Sequence, residues 1–185
     1  AHSDHITGMD ELRIFHGRGG KRIPIYVDAT TLEEVRQRFG YMFEQVSSYY
    51  PPAVDVQLFR EMDFGCKCQI GDIQVIAFRQ DHGQGTTSLG FRFGNVGYST
   101  DMCNLDEEAI EALKGVDVWI ADCADYAHGR GTLHSTFENV KKLNALIGAR
   151  QVYLTHLKMF YDYQSMCRDL PKGYAPAYDG LCITL

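Results

Sequence analysis

The sequence predicts an α+β fold in which helices cover the faces of a sheet, and two observations carry that prediction. In the middle of the chain, apolar or alternating runs at 54–62, 66–79, 88–93 and 96–100 follow one another with only short turns between them, as hairpins do. Later, the apolar runs 116–121 and 151–155 are separated by a stretch of helical periodicity, the alternation expected of a parallel sheet. One domain is expected over residues 1–185, because domains commonly hold about 100 to 200 residues and no linker, repeat or low-complexity segment interrupts the chain.

Near the start, Thr7 and Asp10 have the spacing of a capping box, so a short helix carrying Met9 and Leu12 is expected after an N-terminal loop. Ile23, Pro24, Ile25, Tyr26 and Val27 read as a strand at a sheet edge, where proline is tolerated. Thr30 or Thr31 then caps a helix whose apolar residues Leu32, Val35, Phe39, Phe43 and Val46 recur at spacings of three and four, until Tyr50, Pro51 and Pro52 end it. Gly65 and Gly71-Asp72 mark turns among the middle strands, and Gly94-Asn95 is a hairpin turn. Asn104 is the expected N-cap of a helix with Asp106, Glu107 and Glu108 in its first turn, where the helix dipole favours negative charge. Ser135 with Glu138 forms another capping box, opening a helix that buries Phe137, Val140, Leu143 and Ile147. A helix near 161–170 and a strand near 180–185 are expected to finish the chain.

With 45% hydrophobic and 23% charged residues the composition is that of a soluble globular protein. The formal charge of −6 argues against a broad nucleic-acid-binding face, while a small anionic substrate could still be held by metal ions and a few cations. Only Cys66 and Cys68 lie close together among the six cysteines, and no C-x-x-C occurs. They read as reduced thiols of a cytoplasmic protein rather than a disulfide framework or a zinc site. No apolar run of about 18 residues is present, so no membrane span is expected, and no signal peptide is visible.

Candidate functional residues stand where elements end. His82 follows the 66–79 run, Asp101 follows 96–100, and His156 follows 151–155, while His2, Asp4 and His5 fall within four positions of one another. A single histidine after a strand is more often a hydrogen-bonded surface residue than a ligand. Several at the ends of strands in one packed fold can converge, and imidazole plus carboxylate without thiolate suits zinc, manganese or iron. His134 precedes the predicted cap Ser135, which would set its imidazole beside a helix N-terminus that favours an anion. His16 is expected in a loop, His128 and Arg130 are candidate substrate contacts, and Tyr161 and Tyr163 either line the pocket or pack.

Taken together these residues resemble the metallo-β-lactamase superfamily. Ala1-His2-Ser3-Asp4-His5 is similar to the back half of the signature H-x-H-x-D-H, whose first histidine, with the leading strands of the fold, would fall before Ala1. His82, Tyr98-Ser99-Thr100-Asp101 and Thr155-His156 follow in the family's order, so the resemblance covers nearly the whole chain. Gly90-Phe91-Arg92-Phe93-Gly94, Leu133-His134-Ser135 and Ala177-Tyr178-Asp179-Gly180-Leu181 look like the branch containing phosphoribosyl cyclic phosphate phosphodiesterase, near the tRNA 3′-processing endonucleases. Lactamases proper fit less well, since Asp101 stands where their bridging ligand is a cysteine.

The resemblance implies a four-layer αββα sandwich and two divalent metal ions, zinc or manganese. His2 and His82 would serve one ion, Asp4, His5 and His156 the other, with Asp101 bridging and a hydroxide between the ions as nucleophile. His134 is implied as a proton donor or phosphate binder, with Asp4 assisting it in catalysis. Met159 stands where some members carry a histidine for an additional structural zinc, so that site is not expected. The implied activity is hydrolysis of a small phosphodiester, a phosphoribosyl 1,2-cyclic phosphate or a 2′,3′-cyclic nucleotide. No membrane and no larger nucleic acid is expected as partner, and a homodimer is compatible, dimers being common among relatives. Another superfamily hydrolase, acting on RNA ends, thioesters or lactones, and a noncatalytic metal-binding protein are the alternatives.

Overall fold

A computed structural model describes residues 1–127 and 132–184. The chain divides into two compact units, Ala1–Met62 and Asp63–Leu185.

In the first unit, α1 (Ser3–Ile6) leads through a 3₁₀ turn (Thr7–Glu11) into α2 (Leu12–Gly19). The H-x-D-H stretch is therefore helical rather than a loop, and the Thr7 hydroxyl donates back to the Ser3 carbonyl instead of capping a later helix. Strand β1 (Ile23–Val27) pairs in parallel with β2 (Val54–Leu58). Between them α3 (Ala29–Phe39) is capped by Asp28, whose Oδ1 accepts from Thr31 N–H at 2.6 Å. A carboxylate one turn earlier thus replaces the expected threonine cap. The helix also stops at Phe39, short of the predicted end, and a 3₁₀ turn (Gly40–Met42) follows. That turn buries Met42 against Ala53 and Val54, with Met9, Leu12, Ile25, Phe39, Tyr41 and Phe43 packed around them.

The second unit is built on seven strands in the order β3 (Lys67–Ile70), β4 (Ile73–Asp81), β5 (Thr87–Phe93), β6 (Val96–Ser99), β7 (Val118–Asp122), β8 (Gln151–Thr155) and β9 (Tyr174–Pro176). Pairing is antiparallel from β3 to β6, joined by the hairpins read from the glycine turns, and parallel from β6 to β9. Helix α4 (Glu107–Leu113) is capped by Asp106, two residues beyond the predicted Asn104, because the Asp106 carboxylate reaches the Ala109 N–H at 2.9 Å. Its C-terminus is held by Arg92, which donates to the Ala112 and Lys114 carbonyls at 3.0 Å each. Helices α5 (Phe137–Ile147) and α6 (Tyr163–Asp169) complete the unit. The last strand is β9, not 180–185, since residues 181–184 form no regular element.

The core of this unit gathers Phe78, Trp119, Val152 and Leu154 from the sheet with Leu113 from α4 and Val140 and Ile147 from α5. Each such aliphatic side chain contributes about 1.5–3 kcal/mol by leaving water. Trp119 satisfies its buried indole by donating to Ser99 Oγ at 3.1 Å.

Candidate metal centre

Strands β6, β7 and β8 run parallel in matched register, with Ser99 beside Ala121 and Ala121 beside Leu154. Strand β4 points the same way, being antiparallel to β5, which is antiparallel to β6. The residues closing these four strands, His82, Asp101, Asp122 and His156, therefore emerge at one edge of the sheet. Asp101 (φ 51°) and His156 (φ 61°) adopt the left-handed backbone that turns the chain sharply just past its strand.

Three predicted residues meet there. Asp101 Oδ2 lies 3.9 Å from His82 Nε2, and Asp101 Oδ1 lies 3.7 Å from His156 Nε2. The far nitrogens of both rings have facing groups. His82 Nδ1 sits 2.9 Å from the Leu133 carbonyl, which can only accept, so Nδ1 carries the proton and Nε2 presents its lone pair. His156 Nδ1 lies 3.2 Å from Asp122 Oδ2, within ion-pair reach but out of line for a hydrogen bond.

Asp122 is the residue of this cluster that sequence reasoning missed. It is fully buried and takes His134 Nδ1 at 2.8 Å and Met102 N–H at 3.2 Å on Oδ2, beside His156, and Ala124 N–H at 3.0 Å on Oδ1. Burial by itself would raise its pKa, but the bonds from His134, His156 and Ala124 and the charge of His134 together hold it down at about 2. The signal was present: Asp122 closes an apolar strand as Asp101 nearly does. Its neighbour Cys123 shows the same burial uncompensated, its thiol being pushed far above the ordinary range.

His134 joins this group through Asp122 rather than by standing at a helix cap. The cap of α5 is Thr136, whose hydroxyl accepts from Asn139 N–H at 3.2 Å. The predicted cap, Ser135, is buried and donates to the Cys103 carbonyl at 3.0 Å, which Asn139 Nδ2 also reaches at 2.9 Å. That anchorage fixes the backbone of His134. Its ring lies 5.2 Å from that of His82 and 4.8 Å from that of His156, centroid to centroid.

The other predicted residues fall as follows. In the first unit His2 precedes α1, its carbonyl accepts the His5 N–H at 3.1 Å, and His5 Nε2 lies 3.5 Å from Asp4 Oδ2. His16 lies within α2, not in a loop, the helix running on to Gly19. His128 and Arg130 lie outside the described residues. Tyr161 packs edge-on against Tyr126, with centroids 5.4 Å apart, and its hydroxyl accepts from Ala127 N–H at 3.3 Å. Tyr163 packs on Tyr178, and Lys158 pairs with Asp125.

The donors fit a divalent cation. Asp101, Asp122, His134 and His156 bring one candidate ligand atom each within 4.8 Å of one another, and since Asp122 and His134 are engaged with each other, Asp101 and His156 are the donors left to an ion. Imidazole nitrogens and carboxylate oxygens without a thiolate suit zinc or manganese.

The profile of the beta-lactamase superfamily domain matches residues 1–157. The chain belongs to the metallo-β-lactamase superfamily. The members of this superfamily are metal-dependent hydrolases, and the α+β sandwich expected from the sequence is its fold. Within the superfamily the likeness is to the PhnP-like branch. A diphosphatase of the PhnP family superposes with a TM-score of 0.84 at 26% identity, over 100% of this chain and 68% of that one. The metallo-β-lactamase fold protein YhfI from Bacillus subtilis superposes with a TM-score of 0.77 at 19% identity, over 98% and 73%, and shares the fold. An octanoyltransferase from Porphyromonas gingivalis is 28% identical over 181 residues, which is 97% of this chain and 35% of that protein. The chain thus spans about a third of the length of that relative.

Proposed function

We propose that the protein is a binuclear metal-dependent phosphodiesterase acting on small cyclic phosphates, a phosphoribosyl 1,2-cyclic phosphate or a 2′,3′-cyclic nucleotide. The observation that carries the proposal is Asp101, which offers one carboxylate oxygen to each of two imidazole Nε2 atoms, that of His82 having its tautomer set from behind by the Leu133 carbonyl. A carboxylate so placed can be shared by two cations. The PhnP-family diphosphatase supports chemistry at phosphorus. The remaining ligands, His2, Asp4 and His5, are assigned from the H-x-D-H motif alone.

Two divalent ions, zinc or manganese, would supply Lewis acidity that activates water and neutralises phosphoryl charge. His82 and His156 hold their places through Leu133 and Asp122. His134 gives up its Nδ1 proton position to Asp122, which leaves Nε2 to protonate the departing alkoxide and lets ionised Asp122 stabilise the imidazolium that precedes the transfer. Asp4 is assigned a supporting part in the same step from the resemblance. A cyclic phosphodiester suits the site because it brings a single negative charge. A cytoplasmic location, expected from the cysteine pattern, belongs to the same proposal, and no helix among the described residues is long and apolar enough to cross a membrane.

Metal analysis with substrate turnover tests this. Two ions per chain, hydrolysis of bis(p-nitrophenyl) phosphate and of a 2′,3′-cyclic nucleotide, and abolition of both by Asp101→Ala are the expected results. Full metal occupancy with cleavage of an octanoyl thioester and none of either phosphodiester would favour the acyl chemistry named for the Porphyromonas relative and overturn the phosphodiesterase reading.

A further inference from the structure

The segment that carries Asp101, residues 100–104, is held at most of its backbone groups. Met102 N–H donates to Asp122 at 3.2 Å. The N–H groups of Cys103 and Asn104 donate to the Asp81 carbonyl at 2.7 and 3.2 Å, and the Asn104 carbonyl accepts the Asp81 N–H at 3.1 Å. The Cys103 carbonyl accepts from Ser135 and Asn139. The two carbonyls at the turn itself are held from beneath by side chains of the antiparallel hairpin. Gln80 Nε2 donates to the Thr100 carbonyl at 2.5 Å and to Ser88 Oγ at 3.0 Å, and the Ser88 hydroxyl passes its proton to the Asp101 carbonyl at 2.7 Å. Gln80 and Ser88 are direct partners across β4 and β5.

Gln80 is an odd choice for this place. It is 2% exposed, and its Oε1 is buried without a hydrogen-bond donor. The carboxamide cannot turn over to find one, because its nitrogen must face the Thr100 carbonyl. It lies against Gly90, where a Cβ would come within 2.6 Å of Oε1. A buried carbonyl oxygen left without a donor destabilises the folded state; methionine, of similar length, would remove that oxygen but would leave the Thr100 carbonyl without its donor, so the exchange brings the fold no loss that packing would resist. Packing therefore does not explain a glutamine here. The need to aim a donor at the turn before a left-handed Asp101 does, because a non-glycine residue keeps that conformation only where its surroundings impose it.

We propose that Gln80, acting with Ser88, is a positioning residue for Asp101: the pair locks the Thr100–Asp101 carbonyls so that the Asp101 carboxylate stays between the Nε2 atoms of His82 and His156. The proposal rests on Asp101 being a metal ligand. It predicts that losing this glutamine leaves the metal-free fold nearly as stable, one orphaned carbonyl replacing another, while the metal site loses.

The test compares wild-type protein with Gln80→Met, Ser88→Ala and Ser88→Thr, reading zinc affinity by competition with a chromophoric chelator, the visible spectrum of the cobalt-substituted protein, and the thermal midpoint after metal removal. Gln80→Met is expected to melt, metal-free, close to the wild-type temperature, to bind zinc about 10–100-fold more weakly, and to shift the cobalt spectrum. Ser88→Ala should weaken zinc binding too, and Ser88→Thr, which keeps the hydroxyl, should restore it. Wild-type affinity and spectrum in Gln80→Met would overturn the proposal. So would a loss of affinity accompanied by a matching loss of metal-free stability, which is what a packing role would produce. Wild-type protein that takes up no divalent ion defeats the ligand reading itself, and the proposal with it, so the wild-type titration separates the two failures.

Discussion

Replacing Asp122 by asparagine tests the electrostatic centre of the site. The carboxylate accepts from His134 Nδ1 at 2.8 Å, Met102 N–H at 3.2 Å and Ala124 N–H at 3.0 Å, with His156 Nδ1 at 3.2 Å. An asparagine of the same shape has one acceptor. With its oxygen towards the histidines, its amide faces the Ala124 N–H, donor against donor, and the charge that favours His134 as a cation is gone. Linkage gives the magnitude. The folded protein holds this carboxyl at about 2 against an ordinary 3.8, which at about 1.4 kcal/mol per pH unit amounts to about 2 kcal/mol.

The sign follows from the depressed pKa. The contribution is fully present above pH 3.8 and is lost as pH falls through the folded value near 2. Urea unfolding of the metal-free proteins at pH 6 and near pH 2 measures it. Asp122→Asn should be less stable at pH 6 by about 2 kcal/mol or more, and the gap should narrow by about 2 kcal/mol in acid. Parallel pH profiles for wild type and variant would refute the reasoning, because they would mean that the Asp122 charge is not held by its neighbours.

Three further outcomes follow from the same geometry. A Cβ at Gly83 would stand 1.8 Å from the Thr132 carbonyl, on a backbone with φ 76°, so Gly83→Ala should destabilise the fold by about 2 kcal/mol or more. By displacing the Leu133 carbonyl from His82 it should also weaken metal binding in a chelator competition. His134→Gln should keep both ions and nearly normal hydrolysis of bis(p-nitrophenyl) phosphate, whose leaving group needs no proton, yet lose about 10²–10⁴-fold on a 2′,3′-cyclic nucleotide, whose alkoxide does; equal losses on both would remove it as the proton donor. Free zinc at a hundred times its dissociation constant should raise unfolding stability by about 3 kcal/mol, read by urea titration with and without chelator.

Much of this was legible in the sequence because it depends on local patterns. Alternating or apolar runs located β4 to β6 and continuous apolar runs located β7 and β8, Gly71-Asp72 and Gly94-Asn95 located two of the hairpins, and each strand-end ligand could be named because the last apolar residue before it was visible. The helix starts were less legible. Asp28, Asp106 and Thr136 cap where Thr30 or Thr31, Asn104 and Ser135 were expected. A cap is chosen by which oxygen reaches a free N–H in three dimensions, and neighbouring Ser, Thr, Asn and Asp residues look alike as text. Ser135 shows the competition directly, since its hydroxyl is taken by Cys103. Asp122 was passed over for a related reason. An aspartate after an apolar strand is an ordinary strand terminator until the parallel pairing of β7 with β8 sets it beside His156.

Asp101 and His156 explain what such a sheet edge requires. A strand that simply continued would carry its next side chains further out, alternating between the two faces of the sheet, and away from the end where the other strands stop. Turning at once into the left-handed region returns each side chain over the edge, so that residues from strands several positions apart in the sheet can face one another. Glycine makes that turn at no steric cost but brings no ligand atom. Among the described residues only Gln84, Asp101 and His156 are non-glycine with positive φ, so the strain falls mainly on the two predicted ligands that define the centre. At about 1–2 kcal/mol for each such residue it is comparable to what the Asp122 contacts contribute. The hydrogen bonds around residues 100–104 are therefore as much a part of the site as the ligand they aim: without them Asp101 would relax towards extended backbone and would no longer lie between two imidazoles.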